Sequence, residues 1–154
     1  MKIIKYFLIF VLFFLVSCKN STESNPDNTN QNQKIDWNYS RTNTNHVIAI
    51  IKDTTIFNIK NYDIAVNDEI GVFFQKGDSL KCCGKISWEN KSNSITAWGD
   101  DPTTSSKDGL SLEEEMIWII KKNNTNYIVY PEYLSGNNKF IPGGISKLKR
   151  LYTK

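Results

Sequence analysis

The stretch Leu80-Lys81-Cys82-Cys83-Gly84-Lys85-Ile86-Ser87-Trp88 decides the fold. Side chains of a strand point to alternate faces, so Leu80, Cys82, Gly84, Ile86 and Trp88 share one face while Lys81, Cys83, Lys85 and Ser87 share the other. Apolar residues two apart predict a half-buried β-strand, because a helix would scatter the same residues around its axis. Taken strictly, the alternation points Cys82 inward and Cys83 outward.

Working outward, similar runs occupy residues 46–51, 55–59, 69–74, 94–98, 116–122 and 127–130. Turn signals separate them: Lys76-Gly77-Asp78, Glu89-Asn90-Lys91-Ser92-Asn93 and Lys122-Asn123-Asn124-Thr125-Asn126. Strands at this spacing predict an all-β fold, a β-sandwich of about seven to nine short antiparallel strands. The helical hints, residues 111–115 and the basic tail 146–152, are too short to change the class.

The N-terminus reads differently. Lys2 and Lys5 flank an uninterrupted apolar run from Tyr6 to Val16, and small Ser17 precedes Cys18. That order is a signal peptide, and the run falls short of the about twenty apolar residues a spanning helix needs. Leu15-Val16-Ser17-Cys18 resembles the bacterial lipobox, which implies cleavage before Cys18 and acylation of its thiol with palmitate-type chains. One chain holds a protein to a bilayer only marginally, whereas two or three anchor it stably. Residue Lys19 is not the aspartate that resembles an inner-membrane retention signal, so the expected location is a membrane, the outer one where the cell has one.

The expected organisation is thus a cleaved signal peptide over residues 1–17 and an acylated cysteine with a flexible linker over residues 18–34. Residues 19–34 are Asn, Ser, Thr, Gln and charged residues with one proline and no large apolar side chain, and cannot offset the entropy of ordering. A coil of that length spans about 20 Å. Residues 35–154 are one domain by length. Removing Lys2 and Lys5 with the leader lowers the formal net charge from +3 to +1, and no basic stripe appears, which excludes nucleic acid as a natural partner. Of the three cysteines, Cys18 goes to lipid and Cys82 and Cys83 are chain neighbours, so no disulfide framework is implied.

The middle of the chain carries a second pattern: Asp68-Glu69-Ile70-Gly71-Val72-Phe73-Phe74, Leu80-Lys81-Cys82 with Gly84, Trp88, Ile95-Thr96-Ala97-Trp98-Gly99-Asp100-Asp101, Lys107-Asp108-Gly109 and Gly144-Ile145-Ser146. It resembles a β-rich module, without an assigned activity, of secreted and surface proteins of Bacteroidota-type bacteria. Asn67 stands where a glycine is common in that pattern, and Cys83 where an alanine is. The resemblance implies surface display and no particular reaction.

Candidate function gathers in the polar loop after Trp98. Asp100, Asp101 and Asp108 offer the oxygen ligands a calcium ion takes. Asp108-Gly109 and Glu115 match half of an EF-hand loop, but Thr104 and Ser106 occupy positions that need acids, and that fit fails. The competing reading is that these carboxylates cap turns. Trp98 closes a strand beside the loop and offers an aromatic face for a sugar ring, whereas Trp88 and Trp118 lie in phase with apolar strand faces and read as core.

Catalysis has little support. The single histidine, His46, has no sequence neighbour to make it a base, and Cys83 has no paired base. Two functions remain: a binding module holding a glycan, a protein or a calcium ion around Trp98 to Asp108, or an assembly lipoprotein docking to an envelope complex. A hydrolase is the third reading. No cofactor is expected apart from the calcium alternative.

Overall fold

The structure, a computed structural model, describes residues 33–154. The expected signal peptide, Cys18 and the linker up to residue 32 lie outside the described residues. Nine strands form: β1 (Lys34–Asp36), β2 (Asn45–Ile50), β3 (Ile56–Asn58), β4 (Glu69–Lys76), β5 (Ser79–Ser87), β6 (Asn93–Trp98), β7 (Ile117–Lys122), β8 (Thr125–Ser135) and β9 (Ile145–Tyr152). Among the described residues there is no helix, so none is long and apolar enough to cross a membrane. The chain is all-β.

The strands join in one sheet in the order β1-β5-β4-β7-β8-β9-β2-β6, with β3 beside β9. Local chemistry sets the hairpins. Asn123 and Asn124 both adopt positive φ, 48° and 64°, which is how a two-residue turn matches the twist of β7 and β8. The long β8 pairs with β7 through residues 125–129 and with β9 through residues 130–135, and register shifts around Tyr133 let it turn the corner between the two halves of the sheet.

The sheet curls into a half-barrel. At its closure β5 packs against β6 although no ladder joins them. Gly84 makes that approach possible, because a Cβ there would lie 2.0 Å from the Thr96 carbonyl oxygen. Inside the curl lies the main core, with Ile48, Ile50, Val72, Phe74, Ile95, Trp118, Ile120, Leu148 and Leu151 among its members. Trp88 and Trp118 are both buried, as expected of core residues. Each such side chain contributes about 1.5–3 kcal/mol by leaving water.

Four expectations need correction. Three pairings are parallel, β1 with β5, β2 with β9 and β3 with β9, so the sheet is mixed and not purely antiparallel. The tail expected to hint at helix is β9, a strand bonded on both sides, because Ser146, Leu148 and Leu151 find the core while Ile145, Lys147 and Lys149 point out. Residues 111–115 form a turn rather than a helix.

Cys82 and Cys83 give the fourth correction, for both are buried, Cys82 1 % and Cys83 0 % exposed. Opposite β4, the register steps from Val72 with Gly84 to Phe73 with Cys82, so Cys83 is the extra residue of a bulge. Before the bulge Leu80 and Cys82 face the outside of the curl; after it Cys83, Ile86 and Trp88 face the main core. The Cys83 thiol lies 3.3 Å from the Val72 carbonyl, to which it donates.

The outside of β5, β4 and β7 is also apolar and is roofed by the chain itself. Phe73, Leu80, Cys82 and Ile119 form a second core there, covered by Ile35, Trp37 and Tyr39. Trp37 packs edge-on against Phe73 with ring centres 4.8 Å apart, and its Nε1 donates to Asn126 Oδ1 at 3.1 Å. Gly71 clears the space, since a Cβ there would meet the Trp37 ring at 2.8 Å. Lys121 and Lys85 stand 4.8 Å and 5.8 Å from the centre of that ring, and both pair with Glu69. Burial alone would raise the Glu69 carboxyl, but hydrogen bonds from Lys121 and Lys85 outweigh it and hold it below its ordinary value.

Candidate functional site

The four residues singled out in the sequence sit at one end of the curl. Ile95 and Ala97 of β6 enter the core, so Thr96 and Trp98 project from the opposite face. On neighbouring β2 the same alternation buries His46, Ile48 and Ile50 and leaves Asn45, Val47 and Ala49 outward. Registration then assembles a surface: Trp98 lies beside Asn45, and the next row runs Thr96, Val47, Ile145 across β6, β2 and β9. Trp98 is half-buried, and Ile145 is 76 % exposed. Among the described residues no second hydrophobic cluster covers this face.

Residues 99–115 continue from β6, with Leu110 in the main core and Lys107 over the Phe74 ring. Gly99 bridges to Leu110, Asp100 N donates to the Leu110 carbonyl at 2.8 Å, and Leu110 itself is buried. The acids then work on their own loop. Asp100 Oδ1 accepts from Asp108 N at 2.8 Å while Asp108 Oδ1 accepts from Asp101 N at 3.0 Å, a reciprocal clasp. Asp101 Oδ1 accepts from Thr103 N and Thr103 Oγ1, and these bonds hold its carboxyl below the ordinary range. Glu114 accepts both a Lys107 ion pair at 2.6 Å and the Ser111 N–H at 2.8 Å. Among the described residues no group of three or more His, Cys, Asp or Glu side chains converges as a metal site would require.

Asp108 also borders a cleft of about 250 Å³ that sequence reasoning did not find. Three segments make its walls: Asp36 and Tyr39 from the N-terminal strap, Lys76 and Lys81 from the β4–β5 hairpin, and Lys107 with Asp108 from the loop. Phe74 and Cys82 line its depth. Lys81 is paired with Asp36, whose carboxyl is held at about 2 chiefly by that lysine and then by the Asn38 N–H. The available signal was the alternation Ile35-Asp36-Trp37-Asn38-Tyr39, which marks an extended segment with one apolar face.

His46 Nδ1 accepts the Ile141 N–H at 3.1 Å, which assigns the proton to Nε2, and Nε2 then donates to Ser146 Oγ at 2.8 Å. A serine nucleophile needs the reverse, an imidazole nitrogen that accepts from the hydroxyl. Burial pushes the His46 pKa below its ordinary 6.5. Burial likewise pushes the Cys82 thiol up to about 12 and Cys83 well above its usual range, so neither is a thiolate at neutral pH.

No family model, no curated protein and no solved structure matches the chain.

Proposed function

We infer that the protein is an exported lipoprotein, acylated at Cys18 and held at a membrane of the cell envelope, whose β domain is a binding module for a glycan. The resemblances to the lipobox and to the surface-protein module support the address. The contact face is the outer surface of β6, β2 and β9. The observation that carries the reading is the half-buried Trp98 set in register beside Asn45 and one row from Thr96, an aromatic plane flanked by an amide and a hydroxyl. Such a set stacks on the apolar face of a sugar ring while polar neighbours take its hydroxyls. The curled sheet serves as a sandwich-like scaffold, its two halves enclosing one core and leaving this face for display.

The test is binding of the full chain in detergent to purified envelope polysaccharides. Trp98→Ala should weaken binding by about tenfold or more, the scale of a lost aromatic stack. Equal binding by the variant would remove the glycan reading. Mass measurement of the mature chain checks the anchor: acylation at Cys18 should be present and should vanish in Cys18→Ser.

A second reading rests on Ile145, which is 76 % exposed in the same row as Val47. An apolar pair on an open sheet face suits docking to an envelope protein. Ile145→Asp would abolish that contact and spare a glycan bound at Trp98.

A further inference from the structure

We propose that the cleft between the strap, the β4–β5 hairpin and the loop is a second binding site, for a small carboxylate with a compact apolar body. Its electrostatics single out Lys76. The other two lysines on its wall are committed to acids, Lys81 to Asp36 and Lys107 to both oxygens of Glu114. The Lys76 ammonium instead donates to Ser106 Oγ at 3.1 Å and to the Lys107 carbonyl at 2.5 Å, both neutral oxygens. An ammonium carries three donors, so the Lys76 charge and one N–H remain for a ligand. A carboxylate oxygen completes that set with a charge-assisted hydrogen bond.

The rest of the cleft fits the rest of such a ligand. Tyr39 offers a ring on one wall, and Phe74 and Cys82 lie at the bottom, so the depth is apolar while the rim is charged. The volume, about 250 Å³, suits a single ring or a short chain. Asp36 and Asp108 on the walls disfavour multiply charged anions, which selects one carboxylate over a phosphate. The strap is part of the wall, so ligand occupancy favours the strap in its docked position.

The experiment follows backbone amide shifts of the full chain in detergent on titration with benzoate, with benzyl alcohol and inorganic phosphate as comparisons. Benzoate should give saturable shifts centred on residues 39, 74, 76 and 107, and Lys76→Met should weaken it by about tenfold, the value of one hydrogen bond to a charge. Lys76→Arg should retain binding, because the positive charge and its donors are kept. Trp98→Ala should leave benzoate binding unchanged, which separates this site from the glycan face. The proposal is overturned by the absence of saturable shifts, by equal binding in Lys76→Met whose spectrum is otherwise native, or by phosphate or benzyl alcohol binding as well as benzoate.

Discussion

The outsides of the two halves of this sheet meet water on different terms. Over β5, β4 and β7 the chain lays its own strap, and Ile35, Trp37 and Tyr39 close a second core on Phe73, Leu80, Cys82 and Ile119. Over β9, β2 and β6 no second hydrophobic cluster forms among the described residues, although Val47, Trp98 and Ile145 stand there in adjacent rows. A strand buried on both faces needs a continuous apolar run, and Ile70-Gly71-Val72-Phe73-Phe74 supplies one. The run Val47-Ile48-Ala49-Ile50 is equally continuous, yet only Ile48 and Ile50 are buried. The two halves thus differ in what covers their outer faces, and the proposed contact face is the one on which apolar side chains keep partial exposure.

The comparison breaks most visibly with matched tryptophan deletions. Trp37→Ala removes the strap's anchor, its edge contact with Phe73 and its bond to Asn126, and should cost about 3 kcal/mol in urea unfolding. Trp98→Ala should stay within about 0.5 kcal/mol of wild type while losing ligand. Similar costs at the two positions would mean that Trp98 is structural and the open face is not a binding face.

Thiol labelling sharpens the same contrast residue by residue. In the wild type both Cys82 and Cys83 should resist a thiol reagent, because burial holds both as protonated, enclosed thiols. In Trp37→Ala, Cys82 lies under the loosened strap and should label first, while Cys83 across the sheet stays protected. Mapping the modified peptides decides it, and simultaneous labelling of both would show that strap and main core open as one unit.

These thiols also show how far the sequence could be read. Strict alternation along residues 80–88 placed a strand correctly and then failed at Cys83, because a bulge switches the phase and a bulge depends on the partner strand. The strap was readable in Ile35-Asp36-Trp37-Asn38-Tyr39, but its closeness to a polar linker obscured it. In β9 the charges of Lys147, Lys149 and Arg150 obscured the buried Ser146, Leu148 and Leu151, whose spacing breaks from two to three. Trp98 and its acidic loop were legible as neighbours in the chain. The cleft was not, since Tyr39, Lys76 and Lys107 meet only through the fold.

Acid should separate the two halves along the pH axis. His46 is neutral when folded and its pKa lies below 6.5, so the unfolded chain binds the proton more readily and stability is lost as pH falls from 6.5 toward the folded value. It is the chain's only histidine, so the window just below 6.5 belongs to it. The strap ion pair behaves differently: Asp36 is held at about 2 against an ordinary 3.8, and its contribution persists above 3.8 and fades as pH falls toward 2. His46→Gln should flatten the urea midpoint between pH 6.5 and 5 and leave the decline below pH 4 intact. A wild-type midpoint that is constant from pH 7 to 5 would show that protonation of His46 does not bear on folding.

The smallest effect concerns the acidic loop, where charge and hydrogen bonding can be told apart. A calcium ion would draw on the negative charge of Asp100, Asp101 and Asp108, so replacing any of them with Asn, a neutral oxygen ligand, would weaken calcium binding. A clasp needs only an oxygen that accepts, and Asn keeps one. Asp100→Asn and Asp108→Asn should therefore melt within a degree or so of wild type, whereas Asp100→Ala leaves the Asp108 N–H without its acceptor and should cost about 1 kcal/mol. Millimolar calcium should move none of these melts. A rise in melting temperature with calcium that Asp108→Asn abolishes would return the loop to metal binding, and the contact surface would then extend from the Trp98 face into the loop itself.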